Sequence, residues 1–294
     1  RALADRLAAR GGRIQCGQTV TRVLTAAGQA VGVRTEDGTR IRARHAVLAT
    51  VPAPTLFLRL VGADLLPTRL VDDLRGFRWD HGTVKVDWAL SGRIPWPNPA
   101  AQGAGTVHLG ADLAGLGDHS ADITAGRVPE RPFLLLGQMT TADPARSPAG
   151  TESAWAYTHV PHGHCWTDGE LAAFADRVQD VVERHAPGFT SRIVGRRVQG
   201  PAELNQADAN LDGGAVNGGT AAIDQQLFFR PVPGLGRADT PIDRLFLAGA
   251  SAHPGGAVHG APGANAARAA LARAGVGGAM YRAVVRRALA AAYG

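Results

Sequence analysis

Lysine is almost absent from this chain of 294 residues. Lys85 stands alone among 31 basic residues, and the arginines are scattered rather than clustered. The net charge of +6 therefore comes without the basic patch that a nucleic-acid interface needs, and nucleic acid is not an expected partner. Cysteine is nearly as scarce. Cys16 and Cys165 lie far apart and imply no disulfide framework, so a reducing cytoplasm is the expected compartment. No stretch approaches the roughly 20 apolar residues of a membrane span. No acidic pair, nucleophile–histidine dyad or metal cluster suited to hydrolysis stands out. The dinucleotide fingerprint G-x-G-x-x-G, placed after a strand and before a helix, is missing too. Gly103, Gly105, Gly110, Gly115 and Gly117 fall in an irregular region with neither element beside them.

Glycine and proline are plentiful, at 38 and 18 residues, and 45% of the chain is hydrophobic. That composition suits a loop-rich α/β protein with one large domain or two interleaved ones. The most informative stretch is Leu245 to Leu271, LFLAGASAHPGGAVHGAPGANAARAAL. It reads as a short buried strand, a turn rich in glycine (Gly249, Gly255, Gly256, Gly260, Gly263), and an alanine-rich helix with Pro262 in its first turn. A strand that feeds a helix N-terminus through glycines aims free backbone N–H groups and the helix dipole at an electron-rich ligand.

The rest of the chain alternates. A helix carrying Leu3, Leu7 and Ala8 ends at Gly11-Gly12, and the chain reads as entered in its middle. Arg13 to Cys16, Thr19 to Thr25, Val31 to Thr35 and Ile41 to Ala43 are expected strands, with a hairpin signal at Glu36-Asp37-Gly38-Thr39. HAVLAT, His45 to Thr50, has the unbroken apolar pattern of a strand buried on both faces. Leu56 to Leu60 and Leu65 to Leu74 look helical. Strands are expected at Thr83 to Leu90, Arg131 to Leu136, Ser153 to His159 and Ile193 to Gln199. Glu170 to His185 is an amphipathic helix with Leu171, Phe174, Val178, Val181 and Val182 on one side.

These residues carry a family resemblance. Leu245 to Leu271 closely resembles the C-terminal flavin-binding motif of the phytoene desaturase-like FAD-dependent oxidoreductases, a branch of the amine oxidase superfamily. The run from the Gly-Gly helix end through V-x-x-V, G-V-x-T-x-D-G and A-V-L-A-T is similar to the second part of that family's FAD-binding domain. Asp143 to Gly150, DPARSPAG, resembles its D-P-x-x-x-P-x-G loop, and Gly213 to Pro231 resembles its glycine-rich segment and Q-x-x-x-R-P strand.

The resemblance implies an α/β fold of the glutathione reductase/amine oxidase type. The FAD-binding domain is discontinuous, a mixed-sheet α+β substrate domain is inserted, and the first βαβ unit is missing, lying upstream of Arg1. The implied domains are 1–54, second part of the FAD domain; 55–235, substrate domain; 236–275, return to the FAD domain; and 276–294, a terminal helix. The implied cofactor is FAD. Val20 would contact the adenine end through its backbone, Ala49 and Thr50 would run close to the dinucleotide, and Gly249 and Ala250 would sit by the ribityl and pyrophosphate. His253, Pro254, Gly255 and Gly256 would pass beside the ring, and the amides of Ala257, Val258 and His259 would face its N1–C2=O edge. The implied reaction passes hydride from an apolar or unsaturated organic substrate to flavin. The alternatives are a flavin amine oxidase or protoporphyrinogen oxidase-like enzyme, and a truncated relative that serves only as a folded, non-catalytic partner.

His253 and His259 are candidate acid–base residues, because histidine titrates near neutrality; a structural role as hydrogen bonders in a tight turn competes. His159, His162, His164 and Cys165 are potential ligands, but they lack the distant second pair that closes a zinc site, and no metal is expected. Arg282, Arg286 and Arg287 stand among apolar residues in the final segment. Two readings stay open there: a solvated terminal helix, and a peripheral membrane contact.

Overall fold

The computed structural model describes residues 1–294. The chain begins with α1 (Ala2–Ala8), β1 (Val20–Ala26), β2 (Gln29–Thr35), β3 (Arg40–Arg42) and β4 (Val47–Ala49). A π-helical turn (Thr55–Gly62) and α2 (Thr68–Arg75) follow, then β5 (Gly82–Leu90), α3 (Pro99–Gln102), β6 (Thr106–Leu109) and α4 (Leu113–Thr124). Next come β7 (Leu134–Gln138), α5 (Met139–Ala142), β8 (Glu152–Val160), α6 (Asp168–His185), β9 (Ile193–Gln199) and α7 (Pro201–Ala207). β10 (Leu245–Leu247), α8 (Ala261–Ala274) and α9 (Gly278–Tyr293) end the chain.

Two compact units result. One joins Arg1–Arg78 to Ala221–Gly294, and the other is Trp79–Thr220. These limits differ from the expected 54/55 and 235/236. The π-helical turn packs on β1, and α2 packs on that turn and on α9, so residues 55–78 belong with the first unit. Leu56, Phe57, Leu70 and Leu74 are buried there.

In the first unit, β1, β2 and β3 form an antiparallel meander, with Val23 opposite Val33 and Val33 opposite Ile41. The hairpin at Asp37 is tied by its own carboxylate, which accepts from the Thr39 amide at 3.0 Å and the Thr35 hydroxyl at 2.6 Å. β4 and β10 make a separate parallel pair, in register Val47 to Leu245 and Ala49 to Leu247. α8 covers that pair, burying Ala266 and Ala269 against Phe246 and Ala248.

The second unit is a five-stranded sheet in the order β6-β7-β8-β5-β9, antiparallel at every pairing. Period-2 alternation sends Val84, Val86, Trp88 and Leu90 of β5 to the same buried side as Ala154, Ala156 and Val160 of β8. α6 lays Phe174, Val178, Val181 and Val182 on that side. Each such side chain contributes about 1.5–3 kcal/mol by leaving water. α6 begins where the Thr167 hydroxyl accepts from the Glu170 amide at 3.2 Å.

Four expectations are corrected. Arg13 to Cys16 is exposed and irregular, with no strand to pair with. HAVLAT is not buried on both faces: β4 is hydrogen-bonded to β10 alone, and Leu48 is 42% exposed. The expected helix from Leu65 starts only at Thr68, because Pro67, in extended conformation, separates it from the preceding turn. The Q-x-x-x-R-P stretch is not a strand. Leu227 takes a left-handed φ of 55°, which breaks extended backbone, and short 3₁₀ turns replace it.

Candidate functional site

The site is built on the carboxyl ends of two parallel strands. All three residues of β10 are buried. The Ala248 amide donates to the Ala49 carbonyl at 2.7 Å, which carries the pairing one step past the strand ends. There Gly249 meets Thr50: a β-carbon on Gly249 would lie 2.2 Å from the Thr50 carbonyl oxygen. Ala49, Thr50, Gly249 and Ala250, drawn from opposite ends of the sequence, thus stand together where open α/β sheets bind ligands, outside the carboxyl ends of their strands.

The turn from Gly249 to Gly260 is held by its own chain and by one buried cation. The Ala252 amide donates to the Gly249 carbonyl at 3.0 Å and the Gly255 amide to the Ala252 carbonyl at 2.8 Å. The Ser251 hydroxyl accepts from the Ala53 amide at 3.1 Å. Arg230 is 1% exposed, and its Nε and Nη2 donate to the Ala250 carbonyl at 3.1 and 2.9 Å. Gly255, at φ 111°, lies against that guanidinium; an added β-carbon would stand 3.2 Å from Nε. Only glycine takes such a φ without strain.

The turn then opens to solvent. Ala257, Val258, His259 and Gly260 are exposed, and the amides of Ala257, Val258 and His259 make no hydrogen bond within the chain. α8 begins just beyond, with Gly260 at its N-cap in left-handed conformation. Three free donors therefore stand just before the positive end of a 14-residue helix. That arrangement suits the electron-rich, partly negative edge of a flavin, and Arg230 adds a fixed positive charge beneath the turn.

The two candidate histidines are placed differently. The His253 ring pairs through Nδ1 with the Leu227 carbonyl at 3.1 Å, so Nδ1 carries the proton and donates. His259 Nδ1 accepts from the Ala261 amide at 2.9 Å and so caps α8. Both act as structural hydrogen bonders through that nitrogen. Val20 opens β1 opposite Thr35, on the neighbouring meander rather than on the β4–β10 pair. Cavities of about 310, 320 and 270 Å³ lie in this unit, and of these the turn reaches only the second, at His253.

The potential ligands of the second unit go to separate neighbours. His162 stacks on Trp79 and faces Asp212 at 3.3 Å, His164 pairs with Glu170 at 2.8 Å, Cys165 is exposed, and His159 lies among His81 and Tyr157. Burial lowers the pKa of His159, where the charge of Asp80 opposes the shift and His81 adds to it. Burial, with the charges of His159 and His81, lowers that of His119. Sequence reasoning named His159 only as a potential ligand and missed its neighbours His81 and His119, which the β5–β8 register and α4 bring near it. It also gave Arg230 no role, although the residue stands in the quoted Q-x-x-x-R-P motif.

Comparisons with known proteins bear on the family and the fold. A model of the flavin containing amine oxidoreductase family matches residues 1–178, ending before the turn. The chain is 32% identical over 282 residues to pyridine nucleotide-disulfide oxidoreductase domain-containing protein 2 of Mus musculus, covering 90% of this chain and 48% of that protein. It is 28% identical over 260 residues to the zeta-carotene-forming phytoene desaturase of Myxococcus xanthus, covering 85% and 46%. Among solved structures, cyclohexylamine oxidase from Brevibacterium oxydans superposes with a TM-score of 0.52 at 14% identity, over 98% of this chain and 51% of that one. An oxidoreductase from Methanosarcina mazei gives 0.51 at 14% identity, over 85% and 48%. These two likenesses establish a shared fold. The chain spans about half the length of the curated relatives it matches.

Proposed function

This chain belongs to the flavin containing amine oxidoreductase family, and from that premise we propose that it forms part of an FAD-dependent oxidoreductase acting on an apolar or unsaturated organic substrate. One observation carries the cofactor reading: three unbonded amides stand at the start of α8, one turn beyond the strand ends where Gly249 meets Thr50. FAD, when bound, supplies the hydride acceptor. The protein's part is to hold and polarise it. Ala49, Thr50, Gly249 and Ala250 line the dinucleotide's path, and Val20 meets its adenine end. His253 to Gly256 flank the ring. The amides of Ala257, Val258 and His259 stabilise negative charge on its edge by about 1–3 kcal/mol, a magnitude typical of helix-end and preorganised donors.

The substrate class rests on the phytoene desaturases among the relatives. Anaerobic mixing of the flavin-loaded protein with polyenes and unsaturated lipids tests the reading. Bleaching of the flavin by members of that set is the expected result; bleaching by simple amines alone contradicts it. A protein that retains no flavin under any condition is the non-catalytic partner instead.

The partner we propose for this chain is a Rossmann segment of the same protein. β4 has β10 on one side only and leaves Leu48 in solvent, an open edge that a further strand would cover. The relatives, twice as long, have room for it. Joining such a segment to the chain should protect the amides of β4 from hydrogen exchange; unchanged exchange at Val47–Ala49 contradicts the pairing.

A further inference from the structure

The packed side of α9 closes a cavity of about 310 Å³ against the loop that leads into β10 and the tip of the β1–β2 hairpin at Gly28. The cavity lies at the amino end of β10, and the 249–260 turn lies past the other end of that strand. Its apolar lining includes Ile242, Leu245 and Phe246, which are buried, and Val285 and Leu289 of α9, which are half-buried. Largely apolar walls with a few polar groups, at this volume, describe a site for a small molecule.

Four arginines and two aspartates also line the cavity. Both aspartates are occupied. Asp243 is ion-paired with Arg273, and Asp239 accepts from the Tyr281 hydroxyl at 3.0 and 2.9 Å and lies 3.5 Å from Arg237. Arg244 donates to the His45 and Ala43 carbonyls at 2.8 and 3.2 Å. Two arginines remain. Arg282 donates to the Arg273 carbonyl at 3.1 Å and feels the charge of Asp243 without pairing with it. Arg286 makes no hydrogen bond or ion pair. The two stand four residues apart on one face of α9, where like charges repel and weaken a helix.

We propose that this cavity binds a small organic carboxylate. Arg282 and Arg286 take the carboxylate, and a compact apolar body rests on Phe246, Val285 and Leu289. The guanidinium fork matches a carboxylate with parallel N–H···O bonds. A neutral molecule would leave the arginine pair unmet, and a bare inorganic anion would leave the apolar walls in water. A doubly charged phosphate would meet more repulsion from Asp239 and Asp243 than a singly charged carboxylate does. The site is separate from the flavin turn and independent of the flavin reading.

Titration of the full chain with benzoate, followed by the midpoint of thermal unfolding, tests it. Benzyl alcohol lacks the charge, acetate lacks the body, and phenyl phosphate doubles the charge. A saturable rise with benzoate is expected, and a smaller rise or none with the other three. Arg286→Gln should weaken benzoate about tenfold or more, the worth of a lost hydrogen bond to a charged group; Arg286→Lys should weaken it less. Without ligand, Arg286→Gln should unfold no earlier than the parent, because the repulsion with Arg282 is gone, so a lost response is not a lost fold. No rise with benzoate, an equal rise with any of the three controls, or an unchanged benzoate response in Arg286→Gln overturns the proposal.

Discussion

The Thr50 carbonyl oxygen lies 2.2 Å from the point where a β-carbon on Gly249 would stand. The two parallel strands of the site can approach only because position 249 has no side chain. Gly249→Ala must push backbone from backbone, and it should cost about 1–3 kcal/mol, as overpacking does. Gly263→Ala, in the first turn of α8, is the control. Its nearest neighbour would be the Ala248 carbonyl at 3.9 Å, so it should be neutral or stabilising. Thermal unfolding reads both. An unchanged midpoint for Gly249→Ala would show that the strand ends are not in contact.

Arg230 is expected to hold the turn rather than decorate it. Replacing it with Met leaves the Ala250 carbonyl without its donor, at a cost of about 1–3 kcal/mol for a buried acceptor left unpaired. Arg230→Lys keeps the charge but loses the two-pronged donation from Nε and Nη2. Both variants should retain less flavin than the parent. Full retention by both would remove Arg230 from the site.

His259 should behave as a cap. His259→Ala removes the acceptor for the Ala261 amide and should cost about 0.5–1.5 kcal/mol, the net worth of one hydrogen bond, while His259→Asn should recover most of it. Flavin reduction by substrate should keep its pH dependence in both variants. A pH profile displaced in His259→Asn would instead make His259 a proton carrier.

The legible part of this molecule was its local chemistry. Glycine spacing announced the turn of 249–260, and apolar periodicity announced α6 and the β5 and β8 strands, because those signals lie within one element. What the sequence hid depends on neighbours. The exposure of Leu48 follows from which strands flank β4. The burial of Arg230 follows from its place against Ala250 and Gly255 of the 249–260 turn. β6 reads as irregular because its pairing with β7 comes from elsewhere in the chain. His81 and His159 meet through the pairing of β5 with β8, and His119 comes near enough from α4 for their charges to interact.

That histidine group sets a pH response. The pKa values of His119 and His159 are both lowered from 6.5, chiefly by burial, so the folded chain keeps them neutral while the unfolded chain takes up protons. The unfolded state binds more protons below the unfolded value, and the stability they contribute is present above about pH 6.5 and falls as pH drops through the lowered values. Urea unfolding at about pH 7.5 and about pH 5.5 should show the loss, in the range set by ordinary histidine titration. His159→Phe should flatten the slope. The same slope in that variant would place the titration elsewhere.

The account rests on flavin at the 249–260 turn, and equilibrium titration with FAD of the chain joined to its Rossmann segment measures that most directly. Flavin fluorescence should quench saturably with that joined parent. With Gly256→Val, whose side chain would stand beside the ring in the proposed site, quenching should fall to the level of an unrelated protein while circular dichroism stays the same. Equal quenching by parent and variant would contradict the placement of the cofactor, and with it the central reading of this fold.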